Sequence, residues 1–144
     1  MKNLLLALTL LSSVATLAKS SFKVDDLVGA YSVSGVDVPY SATVTLSKKM
    51  GLPVVEFVEE GETDFSCKGV YSVSYGNQVD LSMYCGDLTF AEAYQKLMND
   101  VEPDFTQNIN LENVTAAQAN SSFVAPVKSS LFDNIPFKFK FTKK

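Results

Sequence analysis

The sequence predicts an all-β domain with one short α-helix, arranged as an antiparallel eight-stranded barrel or, alternatively, a β-sandwich. Three observations lead there. Beyond residue 20 the chain falls into eight short runs of β-branched and aromatic residues separated by turn formers. Only one stretch carries a helical period. The 126 residues left after an expected export segment of 18 suit a single core and require no second one.

The export segment comes first in the chain. Lys2 precedes the apolar run Leu4 to Leu11, which gives way to small residues ending at Ala18 and then to polar Lys19-Ser20-Ser21. A basic start, a short apolar stretch and small residues form the pattern of a secretory signal peptide, so residues 1–18 are expected to be removed and residues 19–144 to form one domain. The apolar run is shorter than the roughly 20 residues a bilayer span requires, and no membrane span is expected after cleavage. The expected location is secreted or periplasmic, where an oxidising environment favours a disulfide between the two cysteines, Cys67 and Cys85.

The strand-like runs are Leu27 to Ser34, Ala42 to Ser47, Val54 to Glu59, Cys67 to Ser74, Val79 to Cys85, Phe105 to Leu111, Phe123 to Val127 and Ile135 to Phe141. The hairpin around Gly76-Asn77 is the best determined. If Cys67 opposes Cys85, then Gly69 meets Met83, Tyr71 meets Leu81 and Val73 meets Val79, and one face is wholly apolar. A slip of one residue sets Val73 against Asp80 and turns every side chain to the wrong face. The apolar pattern and the cysteine pairing therefore select the same register independently. Opposed residues at a non-hydrogen-bonded site have Cα atoms about 4.5 Å apart, within reach of a disulfide.

Between the fifth and sixth runs, Phe90, Ala93, Tyr94, Leu97 and Met98 repeat with helical spacing, and Thr89 with Glu92 forms a capping box. This helix, Thr89 to Asn99, is expected to cover an edge or mouth of the sheet. In the last run Ile135, Phe137, Phe139 and Phe141 alternate with Lys138 and Lys140. Alternation alone leaves open whether the aromatic face points inward or toward lipid; strands shorter than the roughly 9 to 11 residues of a membrane barrel favour the soluble form, with the lysines in water.

Gly29-Ala30-Tyr31-Ser32-Val33-Ser34 recurs as Gly69-Val70-Tyr71-Ser72-Val73-Ser74, two strands of like chemistry. The first copy, with the preceding Phe22 to Val28, resembles the start of lipocalins and related calycin barrels, where a short segment leads into a Gly-x-Trp strand whose ring plugs one end of the barrel. Gly29 and Tyr31 take the places of that Gly and Trp. The resemblance covers about ten residues, and the chain departs from it in having Tyr for Trp, no Arg to pack on the ring, and its helix before the sixth strand. It implies a barrel with an internal pocket for a small apolar ligand. Independently of the resemblance, an eight-stranded closed sheet can hold one small ligand, and Tyr31, Tyr71, Leu81, Met83, Phe137 and Phe139 are the inward-facing candidates to line it, with plain core packing as the alternative for each.

Composition excludes other classes of function. The chain has no His, no Trp and no Arg, and a net charge of −4. That removes imidazole triads, imidazole metal sites, bidentate Arg recognition and a basic nucleic-acid stripe. No carboxylate pair stands out, so neither catalysis, a cofactor nor a metal is expected. The acidic segment Glu59 to Asp64 offers alternating carboxylates, but it reads as a solvated turn more readily than as a calcium loop. Asn113-Val114-Thr115 and Asn120-Ser121-Ser122 match the glycosylation pattern within a polar stretch expected on the surface. The leading expectation is a monomeric, non-enzymatic barrel that binds a small apolar ligand. The alternative is an interaction or inhibitor module that meets an envelope or extracellular protein through an exposed loop or sheet edge, with Glu112 to Ser122 as the candidate loop.

Overall fold

The structure is a computed structural model that describes residues 21–61, 65–75 and 77–144; the expected export segment, residues 62–64 of the acidic turn and Gly76 lie outside the described residues. Eight strands follow in chain order: β1 (Gly29–Gly35), β2 (Ser41–Lys49), β3 (Leu52–Glu59), β4 (Ser66–Ser74), β5 (Gln78–Cys85), β6 (Phe105–Asn110), β7 (Ser122–Ser129) and β8 (Pro136–Lys143). Each pairs antiparallel with its sequence neighbour, and β8 returns to β1, so the sheet closes as a barrel instead of splitting into a sandwich.

Closure makes side-chain alternation decisive, because every strand has one face inside. Tyr31 and Val33 of β1, Val44 and Leu46 of β2, Val55 and Phe57 of β3, and Phe139 and Phe141 of β8 are all buried in one cluster. The aromatic face of β8 thus points inward and Lys138 and Lys140 are exposed, the inverse of the membrane-barrel arrangement.

The β4–β5 ladder has the expected register: Cys67↔Cys85, Gly69↔Met83, Tyr71↔Leu81 and Val73↔Val79. Gly86 N–H donates to the Ser66 carbonyl, which marks Cys67↔Cys85 as a non-hydrogen-bonded pair. The two cysteines form a disulfide with Cα atoms 3.9 Å apart. On the outer face Asp80 accepts from Ser74 Oγ at 3.0 Å and from Asn108 Nδ2 at 2.7 Å, tying three strands together.

The clearest departures from the expected strand bounds are at the β2–β3 hairpin, which runs further, and at β1, which starts later. The β2–β3 hairpin continues past the expected strand ends to a two-residue turn, Met50-Gly51, and carries Pro53 opposite Lys48 inside the ladder. Gly and Pro, which punctuate most chains, here sit within a long hairpin. The start of the first run is a 3-10 turn, Val24–Leu27, and β1 begins only at Gly29.

Helix α1 (Phe90–Met98) has the expected capping box: Glu92 N–H donates to Thr89 Oγ1 and Thr89 N–H to Glu92 Oε1, both at 3.1 Å. It departs from expectation in its position. A closed sheet has no free edge, and α1 lies on the outer wall, where it packs on β4 and covers the outward-facing Val54 and Tyr84. Tyr84 Oη donates to the Val101 carbonyl and anchors the chain leaving the helix. Of the five apolar residues that define the helical stripe only Ala93 is buried, while Tyr94 is 40% and Met98 63% exposed.

Two stability outcomes follow. A Cβ added at Gly69 would run into the Ser82 carbonyl oxygen and come within 2.8 Å of Met83 Cα, both backbone atoms of the paired strand. Gly69→Ala should destabilise by about 3 kcal/mol or more, measured by urea unfolding. Replacing both cysteines by Ala frees a loop with a sequence separation of 18. This double variant should lose about 3 kcal/mol, against a wild-type midpoint that falls to the same value when dithiothreitol is added.

Candidate functional site

The six residues expected to line a pocket all lie on inward-facing register positions. Tyr31, Tyr71, Leu81, Met83 and Phe139 are at most 4% exposed, and Phe137 is half-buried at the rim. They do not surround a common space. Tyr31 borders a void of about 20 Å³ near the end where β1 begins, together with Leu27, Val44, Leu46 and Phe123. Phe139 borders another of about 10 Å³, with Tyr40, Phe57 and Gln107. Leu81, Met83, Tyr71 and Phe137 border neither. Each void has room for about one water molecule, and small-molecule sites run from about 300 to 1,000 Å³. The interior of the barrel is filled by side chains.

The repeated Gly-x-Tyr segments have a specific part in that filling. Tyr31 Oη donates to the Leu27 carbonyl at 2.9 Å and Tyr71 Oη to the Val24 carbonyl at 3.1 Å. Both hydroxyls therefore hold the 3-10 turn across the mouth where the barrel begins. Lys48 reaches Asp25 of the same turn at 2.6 Å. A cation also packs on the Tyr31 ring: Lys143 Nζ lies 5.9 Å from its centroid, a contact sought in the sequence only as an Arg.

The segment Glu112 to Ser122 was expected as a polar surface loop, and half of its purpose is structural. Val114 and Ala119 are buried beside Leu111 and Phe123, and a single helical turn, α2 (Ala116–Ala119), is capped by Thr115 and Gln118. The polar residues face out, Asn113 and Asn120 included, with Asn120 Oδ1 accepting from Lys143 Nζ at 3.0 Å. The opposite end is closed by aromatic contacts. Phe57 meets Phe105 at 5.1 Å and Phe65 at 6.2 Å, and Tyr40 meets Phe139 at 5.4 Å.

Outside the barrel there is more room. A groove of about 590 Å³ runs between the tip of the β2–β3 hairpin and α1, lined by Lys49, Met50, Gly51, Leu52, Val54, Phe90, Ala91 and Tyr94. Its walls are mainly apolar. Lys49 Nζ lies 4.9 Å and Lys68 Nζ 5.8 Å from the centroid of the Phe90 ring. A second depression of about 240 Å³ lies among Asn110, Asn113, Val124, Pro126 and Lys138. Among the described residues no group of three His, Cys, Asp or Glu side chains is placed to hold a metal ion.

The fold and these surfaces define a closed eight-stranded antiparallel barrel with a packed interior, an architecture compatible with the lipocalin-like form. No family model, no curated protein and no solved structure matches the chain.

Burial also sets how the tyrosines ionise. It raises the phenol of Tyr31, and with help from the Asp25 carboxylate and Tyr31 it pushes Tyr71 from the usual 10 up to about 12. A folded-state value above the unfolded one stabilises the fold below pH 10, and that contribution is lost as pH rises through the folded value. Stability should be flat up to about pH 10 and fall between pH 10 and about 12. Chemical denaturation at stepped pH gives the curve, and Tyr71→Phe should make the fall shallower without abolishing it, because the buried phenols of Tyr31, Tyr40 and Tyr84 are raised as well.

Proposed function

We propose that the protein is exported, works in a secreted or periplasmic location, and acts there as a non-enzymatic interaction module through the outer wall of its barrel. The observation that carries this reading is the packing of the interior: among the described residues, voids of about 20 and 10 Å³ lie inside the barrel, and both are too small for even a short fatty acid. The space that could receive a partner is outside, beside α1. A barrel whose core is solid offers recognition through its surface, as any packed domain does.

Export is supported by the pattern of residues 1–18 and by the disulfide, which suits an oxidising compartment. Among the described residues no helix is long and apolar enough to cross a membrane. The absence of catalysis in this reading rests on the lack of His and Arg and on the uses found for polar groups. Asp80 is tied to Ser74 and Asn108, and the hydroxyls of Tyr31, Tyr71 and Tyr84 are bonded to backbone carbonyls. Kinship with lipocalins belongs to the same proposal; it is supported by strand number, closure and the Tyr31 plug, and it would be a distant relation that has lost the internal pocket.

The test pairs two measurements on purified oxidised protein. A fluorescent fatty-acid analogue titrated at micromolar protein is expected to give no saturable signal. Cross-linking in the compartment that receives the protein is expected to recover one stoichiometric protein partner. Saturable binding of the analogue at one site per barrel, with no protein recovered, would restore the internal ligand and overturn the exterior reading.

A further inference from the structure

The groove between the β2–β3 tip and α1 combines an open apolar surface, a conformation unfavourable to the residue that adopts it, and a positive charge that has no salt bridge among the described residues. We infer that it receives a segment of a partner protein that presents a bulky apolar side chain next to a carboxylate. This inference rests on the exterior-interaction reading and names its site.

Met50 is the most informative residue. Lys49 pairs with Leu52, so Met50 and Gly51 form a two-residue turn, and their φ angles are +53° and +80°. Two positive φ values are the mark of the type I′ turn, which strongly favours Asn, Asp or Gly at the first position and Gly at the second. Gly51 meets that demand. Met50 does not, and its side chain is fully exposed at 106% of the reference area. Asn would serve the turn better and remove apolar surface from water. The methionine therefore works against the local fold, as residues kept for a binding surface do. A flexible thioether also adapts to varied apolar partners.

The opposite wall repeats the same excess. Phe90, Tyr94 and Met98 stand at i, i+4 and i+8 on α1, yet the barrel buries little of this stripe: Tyr94 and Met98 stay exposed. Val54, 4% exposed, forms the floor between helix and hairpin. The groove is open along the wall and does not enclose its contents, so it suits an extended or helical segment better than a small molecule, which a site typically buries by about 70–90%.

Charge selects the partner. Among the described residues Lys49, like most of the lysines, has no carboxylate within salt-bridge distance, and what distinguishes it is its place on the groove lining. Its ammonium is held over the Phe90 ring at the lip of the groove. A carboxylate on the incoming segment would complete that cation, and a basic segment would be repelled by it.

Selection of a phage-displayed library of short random peptides on the purified oxidised protein tests the inference, with affinities read by fluorescence anisotropy. Enriched peptides should pair an aromatic or large aliphatic residue with Asp or Glu. Met50→Asn should leave the melting temperature unchanged or raise it while weakening peptide binding by about tenfold or more, a combination that a purely structural role for Met50 would not produce. Lys49→Glu should weaken acidic peptides similarly, and selection repeated on that variant should turn to Lys- or Arg-bearing peptides. Failure to enrich any peptide, or enrichment without the acidic and apolar bias, overturns the inference. Peptides or a cross-linked partner that bind equally well to Met50→Asn and Lys49→Glu place the contact elsewhere on the wall, so the groove fails while the exterior reading stands. A fatty-acid analogue that saturates the protein and is lost in Met50→Asn would make the groove a small-anion site and overturn both.

Discussion

Closure of the sheet is the constraint on which the rest of this structure depends. In an open sheet an edge strand answers to one neighbour; in a barrel every strand is registered on both sides, and a one-residue slip anywhere would turn a face of apolar side chains to water. The β4–β5 ladder fixes one such register by two independent means, the apolar face Gly69-Tyr71-Val73 and the Cys67–Cys85 bond. Gly69 shows how tight that agreement is, since backbone of the paired strand occupies the place its side chain would need. Closure also removes edges, so the Lys residues of β8 that would guard an edge strand instead cover the outer wall.

A filled barrel needs both ends stopped, and the two ends are stopped by different chemistry. At one end the Gly-x-Tyr repeat is explained by geometry: Tyr31 and Tyr71 come from different strands but send their hydroxyls to the last and first carbonyls, Leu27 and Val24, of the same 3-10 turn. A phenol suits this task because its ring fills apolar space and its oxygen satisfies a backbone acceptor that would otherwise be stranded. At the other end edge-to-face contacts among Phe57, Phe65 and Phe105 suffice, with no polar partner required.

The fold was legible in the sequence wherever one side of a strand is apolar and the other wet. Each of the eight strands overlaps a run that alternation marked, and the β4–β5 register could be written down residue by residue, because period-two patterning directly encodes which face is inside. Less was legible where a residue type carries two meanings. The runs Ala42 to Ser47 and Val54 to Glu59 stopped short of the full β2–β3 hairpin, whose ladder continues through Pro53 to a turn at Gly51, because Gly and Pro interrupt a strand pattern although a two-residue turn needs a Gly and a Pro can sit in a ladder position that requires no donor. The polar exterior of Glu112 to Ser122 hid the two apolar anchors, Val114 and Ala119, that fold it over the barrel. Whether the interior was hollow could not be read at all: the same inward residues line a pocket or fill it according to strand tilt and rotamers, and periodicity is blind to both. The outer groove joins residues 49–54 to residues 90–94, and no local pattern announces contact across such a separation. Its one sequence signal was Met where the centre of a tight hairpin asks for Asn.

The groove gains its character from the rigidity of what surrounds it. The hairpin that forms one wall is held along its length by eight paired positions, and the helix that forms the other is fixed at its start by the Thr89–Glu92 box and beyond its end by Tyr84 and Val101. On the proposed reading little ordering would remain to be done on docking, which lowers the cost of association for a modest contact area. The exposed methionine at position 50 is the flexible part, set on one side of a stiff frame. Rigid walls with adaptable side chains favour one location for contact while leaving latitude in the shape of what is bound, and the lysine at the lip then decides on charge.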